Sequence, residues 1–222
     1  MNAQKYFAEL LGTFLFLTIG YASVAGFIQT TPPTTGLLVV PFSFGFGLLA
    51  AIFAFGHMSG GHFNPAVTVA MVLDKRTTAV EGVGYIIAQV IGAIGAAAVV
   101  YVTVSQAAVK AGVTKPGTGI SDVSALILET VFTAIFLVVI LTASKHAGSL
   151  AGVVIALTLV AIHFGIASLT GSSVNPARSI GSALVGGDLN ALWIYLVGPT
   201  VGGIIGWGIF RASEMGAEEP AA

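Results

Sequence analysis

Two asparagine residues, Asn64 and Asn175, each stand directly before a proline and an alanine, and a short polar run precedes both triplets. The two copies are Asn64-Pro65-Ala66 and Asn175-Pro176-Ala177. Asparagine is a strong helix N-cap, and proline is well tolerated at the first position of a helix. Each triplet therefore predicts the start of a helix. A helix over 64–74 would extend about 15 Å, half of a ~30 Å hydrocarbon core.

The chemistry available at these helix starts is hydrogen bonding and electrostatics. A helix N-terminus carries about half a positive charge, and an asparagine carboxamide can donate hydrogen bonds to a water oxygen. Two such ends aimed at one point predict the centre of a pore. Arg178, three residues after Asn175, adds a positive charge, and a buried arginine in a membrane usually marks a pathway. The alternatives are plain helix caps for the triplets and a snorkelling membrane anchor for Arg178.

The composition requires a membrane around these segments. The chain of 222 residues is 56% hydrophobic and 8% charged, whereas soluble domains carry about 25% charged residues. These values exclude a soluble enzyme, and the net charge of -1 argues against a nucleic-acid partner. The chain has no cysteine, and neither a metal-ligand spacing nor a nucleophile–base pair is evident. We therefore predict no catalysis, no metal and no cofactor.

The elements that must position the triplets are six apolar runs long enough to span a bilayer. They are 6–28, 37–55, 80–104, 123–143, 150–169 and 192–210. The first run reads as a retained helix because no cleavage-site pattern follows it. The segment 30–35 predicts a turn, and the acidic, alanine-rich tail over 213–222 predicts disorder. The fold class is therefore an all-α membrane protein with six transmembrane helices and two re-entrant half-helices.

An internal repeat relates the two halves of the chain, about 1–107 and 120–212. Glu9 and Thr13 in the first run match Glu129 and Thr133 in the fourth. Each half has three spans, so the halves must be inverted, as in folds that form a transport site at the midplane. If both termini are cytoplasmic, five basic residues are cytoplasmic and two are external, as the positive-inside rule requires. These are Lys5, Lys75, Arg76, Lys145 and Arg211 against Lys110 and Lys115.

The stretches 57–68 and 173–179 resemble the two signature loops of the aquaporin family, and the resemblance extends over essentially the whole chain. It implies a passive channel for water in a cell membrane, with the bilayer as its surroundings and a homotetramer that has one pore in each subunit. Three alternatives stay open. They are a facilitator for glycerol or another small neutral solute, an inverted-repeat secondary transporter, and a purely adhesive membrane protein.

The resemblance also implies a selectivity filter. Its residues are Phe44, His163, Ser172 and Arg178. His163 and Arg178 are expected to donate to water while Phe44 closes the wall, although a lone histidine in an apolar span is more often a satisfied core group. The presence of His163, and of a serine directly after Arg178, is similar to the water-selective branch. Leu196 stands where many members have an aromatic residue, which leaves the subgroup open.

The residues before each triplet predict extended backbone whose carbonyl groups face the pore, because irregular backbone at this depth is tolerated where it lines a cavity. They are Gly60, Gly61, His62, Gly171, Ser172 and Ser173. Glu9 and Glu129 are expected to brace these loops by accepting backbone N–H groups, with a proton relay as the alternative. We expect His57 and His62 to brace the loops as well.

Overall fold

The computed structural model describes residues 3–28 and 36–217, and these residues form α-helices, one short 3-10 helix and no strand. The helices are α1 (Ala3–Ile28), α2 (Gly36–Ser59), α3 (Pro65–Leu73), α4 (Ala79–Thr103), α5 (Gln106–Ala111), α6 (Asp122–His146), α7 (Ala151–Thr170), α8 (Pro176–Gly186) and α9 (Leu192–Ala217). The 3-10 turn Gly148–Leu150 precedes α7.

Six of these helices are long and apolar enough to cross a membrane, which confirms the six predicted spans. They are α1, α2, α4, α6, α7 and α9. The two short helices also begin where the triplets predict, since Asn64 caps α3 and Asn175 caps α8. The helix α3 has 9 residues and α8 has 11, so each rises about half the ~30 Å thickness of a hydrocarbon core.

Small residues allow the spans to approach closely in two matching places. A Cβ atom at Gly92 of α4 would lie 2.4 Å from the carbonyl oxygen of Leu10 in α1. A Cβ atom at Gly202 of α9 would lie 2.3 Å from the carbonyl oxygen of Thr130 in α6. Larger residues would separate these helix pairs, which agrees with the expectation that small residues mark helix contacts in membranes.

The chain after residue 212 differs from the prediction. The helix α9 continues to Ala217, so the predicted disorder is wrong over 213–217. The physical reason is an ion-pair cluster, because Glu214 accepts hydrogen bonds from Lys145 and His146 at the end of α6. Residues 218–222, and the turn predicted over 30–35, lie outside the described residues. The short helix α5, between the spans α4 and α6, was not predicted.

Candidate functional site

The N-termini of the two short helices are joined by their capping asparagines. Asn64 donates from Nδ2 to the carbonyl oxygen of Val174 at 2.8 Å, and Asn175 donates from Nδ2 to that of Phe63 at 2.9 Å. Each side-chain oxygen accepts from the helix that it caps, at 2.9 Å and 3.0 Å respectively. A carboxamide nitrogen has two N–H groups, so each asparagine retains one for a molecule in the cavity that both asparagines line.

The loops before both asparagines have the same unusual backbone conformation. Three positions in each loop have a positive φ, in corresponding places: Gly60 and Gly171 (95° and 79°), Gly61 and Ser172 (66° and 47°), and Phe63 and Val174 (48° and 43°). A positive φ is strained for a β-branched or bulky residue, and such strain persists where the surroundings enforce it. The surroundings in this case are two buried carboxylates.

Glu9 of α1 is fully buried and holds the first loop. Its carboxylate accepts the backbone N–H groups of His62 at 2.9 Å and Phe63 at 2.7 Å. It also accepts from the Ser59 hydroxyl and the Gln89 side-chain amide, each at 2.7 Å. These four donors satisfy the buried carboxylate, as a charge in a membrane interior requires.

Glu129 of α6 holds the second loop in the same way. Its carboxylate accepts the backbone N–H groups of Ser173 at 2.9 Å and Val174 at 2.8 Å, and the Thr170 hydroxyl at 2.7 Å. Neither Glu9 nor Glu129 is among the described residues that line the two cavities introduced next. The contacts therefore favour bracing over a proton relay.

Two cavities meet inside the helix bundle. The main cavity has a volume of about 140 Å³, and both asparagines contribute to its lining. The second cavity, here called the vestibule, has a volume of about 520 Å³, and its lining includes Val40, Pro41, Gly112 and Gly171. Phe44, His163 and Arg178 line both cavities. These three residues therefore form the junction between the main cavity and the vestibule.

The lining of the main cavity divides into two chemical types. One is apolar and includes Leu48, Ile52, Val67, Phe136, Ile140 and Leu159. The other carries polar backbone and side-chain groups and includes Gly60, Gly61, His62, Asn64, Ser173 and Asn175. A molecule in the cavity thus has hydrogen-bonding partners from the two loops and none from the apolar side chains.

The rings of Phe44 and His163 stack at the junction, with centroids 4.7 Å apart and planes inclined by 24°. His163 Nδ1 lies 3.0 Å from the carbonyl oxygen of Leu159. A carbonyl only accepts, so Nδ1 carries the proton and Nε2 of the neutral ring is an acceptor. A neutral ring with this contact presents Nε2 to the junction as an acceptor, and the donor role expected for His163 stays a prediction.

Arg178 completes the junction as a buried cation, with 4% of its surface exposed. Its Nη1 donates to the carbonyl oxygen of Gly112 at 2.6 Å, and its Nη2 donates to that of Gly171 at 3.4 Å. Its Nε has no hydrogen-bond partner within the described part of the chain. Within that part, the acidic residues that form ion pairs are Asp74, Glu81 and Glu214, and none of them pairs with Arg178. The junction therefore retains a positive charge.

The structure separates Ser172 from the other predicted filter residues. Its side chain is fully buried, and its Oγ has no hydrogen-bond partner among the residues described. It lies between Gly171, which lines the vestibule, and Ser173, which lines the main cavity, but the described lining of both cavities omits it. A role for its side chain in the filter stays a prediction.

Several contacts at the site were not predicted. Tyr21 of α1 donates to the carbonyl oxygen of Arg178 at 2.5 Å, and Gln89 of α4 donates to Glu9. A buried tyrosine hydroxyl needs a partner, which was the available sequence signal, but the partner is 157 residues away.

His57 is exposed and makes no hydrogen bond with the described residues, so the bracing role expected for it is wrong. His62 is buried and pairs through Nδ1 with Thr68 at 3.1 Å.

Six spans and two capped half-helices around a cavity with one apolar and one polar part of its lining define a membrane channel. Residues 1–210 match the sequence profile of the major intrinsic protein family, and the chain therefore belongs to that family, the aquaporins. Members of this family are integral membrane channels and not enzymes.

Proteins named for different transported solutes are similar to this chain. The chain is 41% identical over 227 residues to the glycerol uptake facilitator protein-like 6 of Lactiplantibacillus plantarum, which covers 97% of this chain and 100% of that one. It is 43% identical over 223 residues to Aquaporin Z of Photorhabdus laumondii, with coverage of 94% and 96%. The X-ray structure of the aquaglyceroporin from Plasmodium falciparum matches 98% of both chains with a TM-score of 0.88 and 22% identity, a likeness of fold.

Proposed function

We propose that this protein is a water-selective channel that conducts water passively, in single file, and excludes protons and ions. The observation that carries the proposal is the junction of Phe44, His163 and Arg178 between the two cavities, with the aromatic rings stacked at 4.7 Å. Stacked rings opposite a guanidinium leave little room for a solute with a carbon backbone. Water needs only donors and acceptors, which the junction supplies.

The proposed path offers water alternating partners. At the junction, Arg178 Nε–H and His163 Nε2 are both buried and have no hydrogen-bond partner within the described residues, so they are one unused donor and one unused acceptor. Farther along the main cavity, the carbonyl groups of the loops accept, and the free N–H groups of Asn64 and Asn175 donate. A water that accepts from both asparagines points its own hydrogens away from the pore centre, which interrupts a chain of proton transfers.

Exclusion of ions rests on charge. Arg178 contributes a full positive charge at the junction, and the N-termini of α3 and α8 add about half a charge each at the asparagines. Cations, including the hydrated proton, meet this potential as well as the cost of leaving bulk water. Anions meet the same desolvation cost in a narrow cavity with apolar walls.

A glycerol facilitator is the second candidate, because a relative 41% identical over almost the whole chain is named a glycerol uptake facilitator-like protein. A glycerol path needs a wider junction than one for water. The two functions differ in a single measurable ratio, the permeability to glycerol divided by the permeability to water.

Stopped-flow light scattering on proteoliposomes tests the proposal. We expect fast water flux with a low activation energy and glycerol flux close to that of protein-free liposomes. Phe44→Ala combined with His163→Ala serves as the widened reference. Glycerol flux in the wild type equal to that of the reference, with water flux intact, would contradict water selectivity and support the facilitator.

The proposed setting is a homotetramer in the plasma membrane with both termini in the cytoplasm. Five basic residues on the side of the termini support the orientation. Protease or biotin accessibility of tags at the two ends, in intact cells and in inverted vesicles, tests it. Native mass spectrometry of the detergent-solubilised protein tests the tetramer.

A further inference from the structure

Tyr21 contacts two of the three residues at the junction, although it lines neither cavity within the described residues. Its side chain is 2% exposed, and its hydroxyl donates to the carbonyl oxygen of Arg178 at 2.5 Å. The Arg178 guanidinium carbon lies 5.8 Å from the centre of the Tyr21 ring. The Phe44 ring meets the same ring edge to face, with centroids 6.4 Å apart.

We propose that Tyr21 is a positioning residue that sets the width of the junction, and thereby the exclusion of larger solutes. The proposal rests on the proposed water-selective function of that junction. Through its hydroxyl Tyr21 fixes the backbone of α8 at Arg178, and through its ring it supports both Phe44 and the guanidinium. One side chain of α1 thus links a residue of α2 to a residue of α8.

Phe44 has little freedom on the side of α1 as long as Tyr21 is present. A Cβ atom at the neighbouring Gly20 would lie 2.5 Å from the Phe44 ring, so the ring already fills the space that this glycine leaves. Phe16 packs against the ring edge to face at 6.0 Å. Removal of the Tyr21 ring would open the remaining direction, and Phe44 could then move away from His163.

Arg178 has aromatic neighbours, Tyr21 and Phe44, besides its carbonyl partners. The carbonyl groups of Gly112 and Gly171 hold the two Nη atoms, whereas the Tyr21 and Phe44 rings lie over the guanidinium carbon at 5.8 Å and 5.3 Å. Aromatic faces attract a desolvated guanidinium. Without the Tyr21 ring, the guanidinium keeps its hydrogen bonds to Gly112, Gly171 and Ser182 and its contact with the Phe44 ring, but loses one of its two aromatic neighbours.

The chain provides a matched control in Tyr85. Its side chain is 1% exposed, and its hydroxyl donates to the carbonyl oxygen of Ser59 at 2.8 Å, the same type of bond as that of Tyr21 although in a less deeply buried place. Its ring contacts are with His62 and Tyr6, away from the junction. A purely structural role for a buried tyrosine hydroxyl would affect both positions in the same way.

The experiment measures water and glycerol permeability of Tyr21→Phe, Tyr21→Leu and Tyr85→Phe in proteoliposomes, together with their melting temperatures in detergent. We expect Tyr21→Phe to raise the glycerol-to-water ratio about threefold, the scale of one hydrogen bond, and Tyr21→Leu to raise it about tenfold or more. Tyr85→Phe should lower the melting temperature as much as Tyr21→Phe does and leave the ratio unchanged.

The reference variant with Phe44→Ala and His163→Ala separates the two hypotheses. If the reference raises the ratio and both Tyr21 variants do not, the positioning role is overturned and the proposed function stands. If the reference itself does not raise the ratio, the proposed function fails. If Tyr21→Leu does not fold, Tyr21→Phe decides alone, because it keeps the ring volume, and an unchanged ratio for it overturns the proposal.

Discussion

Gln89 donates its side-chain amide to the buried carboxylate of Glu9 at 2.7 Å, whereas no described side chain donates an amide to Glu129. The corresponding position in the second half, four residues after Tyr195, is Pro199. Gln89 also donates to the Thr68 hydroxyl of α3 at 2.9 Å. The first loop and its half-helix therefore share a polar support that the second half lacks.

Replacement of Gln89 should destabilise the protein. Gln89→Leu removes one of the two donors to Glu9 Oε2 and leaves the Phe63 N–H as the remaining donor to that oxygen. The loss of one partner of a buried polar group costs about 1–3 kcal/mol. We expect a decrease of about 2 kcal/mol in the free energy of unfolding, measured by denaturant titration in detergent. Gln106→Leu at an exposed position of α5 is the control and should change this value by less than about 0.5 kcal/mol. Equal stability of the two variants would contradict the support assigned to Gln89.

Widening the junction should change selectivity before it abolishes water flow. In the Phe44→Ala, His163→Ala double variant the two stacked rings are gone, and glycerol or urea should enter while osmotic water flux persists. Stopped-flow measurements on the same vesicles provide both rates. Loss of water flux in a variant that retains its fold would show that the two rings keep the pore open and do not act as a filter against larger solutes.

Mercurial reagents should not block the wild type, because the chain contains no cysteine. Ser144 lines the main cavity, so Ser144→Cys should produce a block of water flux that a thiol reverses. Ser172→Cys tests the predicted filter position, whose side chain is fully buried. If Ser172→Cys is modified, as shown by mass spectrometry, and still conducts water, the Ser172 side chain does not belong to the narrow part.

Removal of the Arg178 charge should weaken proton exclusion only partly. Arg178→Val removes the cation at the junction and leaves the N-termini of α3 and α8, so we expect a small proton leak. The addition of His163→Ala should increase the leak, because more water enters the junction. A pH-sensitive dye inside proteoliposomes under an imposed potential measures it, with osmotic water flux as the control for folding.

Reversal of the field at the asparagines should add to that leak. Asn64→Asp with Asn175→Asp places carboxylates at the helix N-termini and opposes their positive potential. The same dye measurement applies to variants that retain water flux. If the proton leak stays at the wild-type level in these variants and in the Arg178→Val variants, the barrier to protons lies elsewhere in the channel.

The sequence alone determined the elements that depend on local interactions. Runs of apolar residues specified the six spans, and an asparagine followed by a proline specified the start of both half-helices. These features depend on transfer of side chains into lipid and on bonds within one turn of backbone, and they need no knowledge of distant residues. The resemblance to a known family, and not a local pattern, pointed to Phe44 and His163 as partners.

Only the tertiary structure decided which residues meet. Tyr21 and Arg178 are 157 residues apart, and Arg178 and Gly112 are 66 apart, so no local pattern predicts their bonds. The helical extension to Ala217 has the same origin, because Glu214 pairs with Lys145 and His146 of α6. The proton position on His163 depends on which carbonyl its ring reaches, and that depends on its rotamer. The local sequence determines helix propensity and the hydrophobicity of each segment. The pairing of buried polar groups depends on how the helices pack.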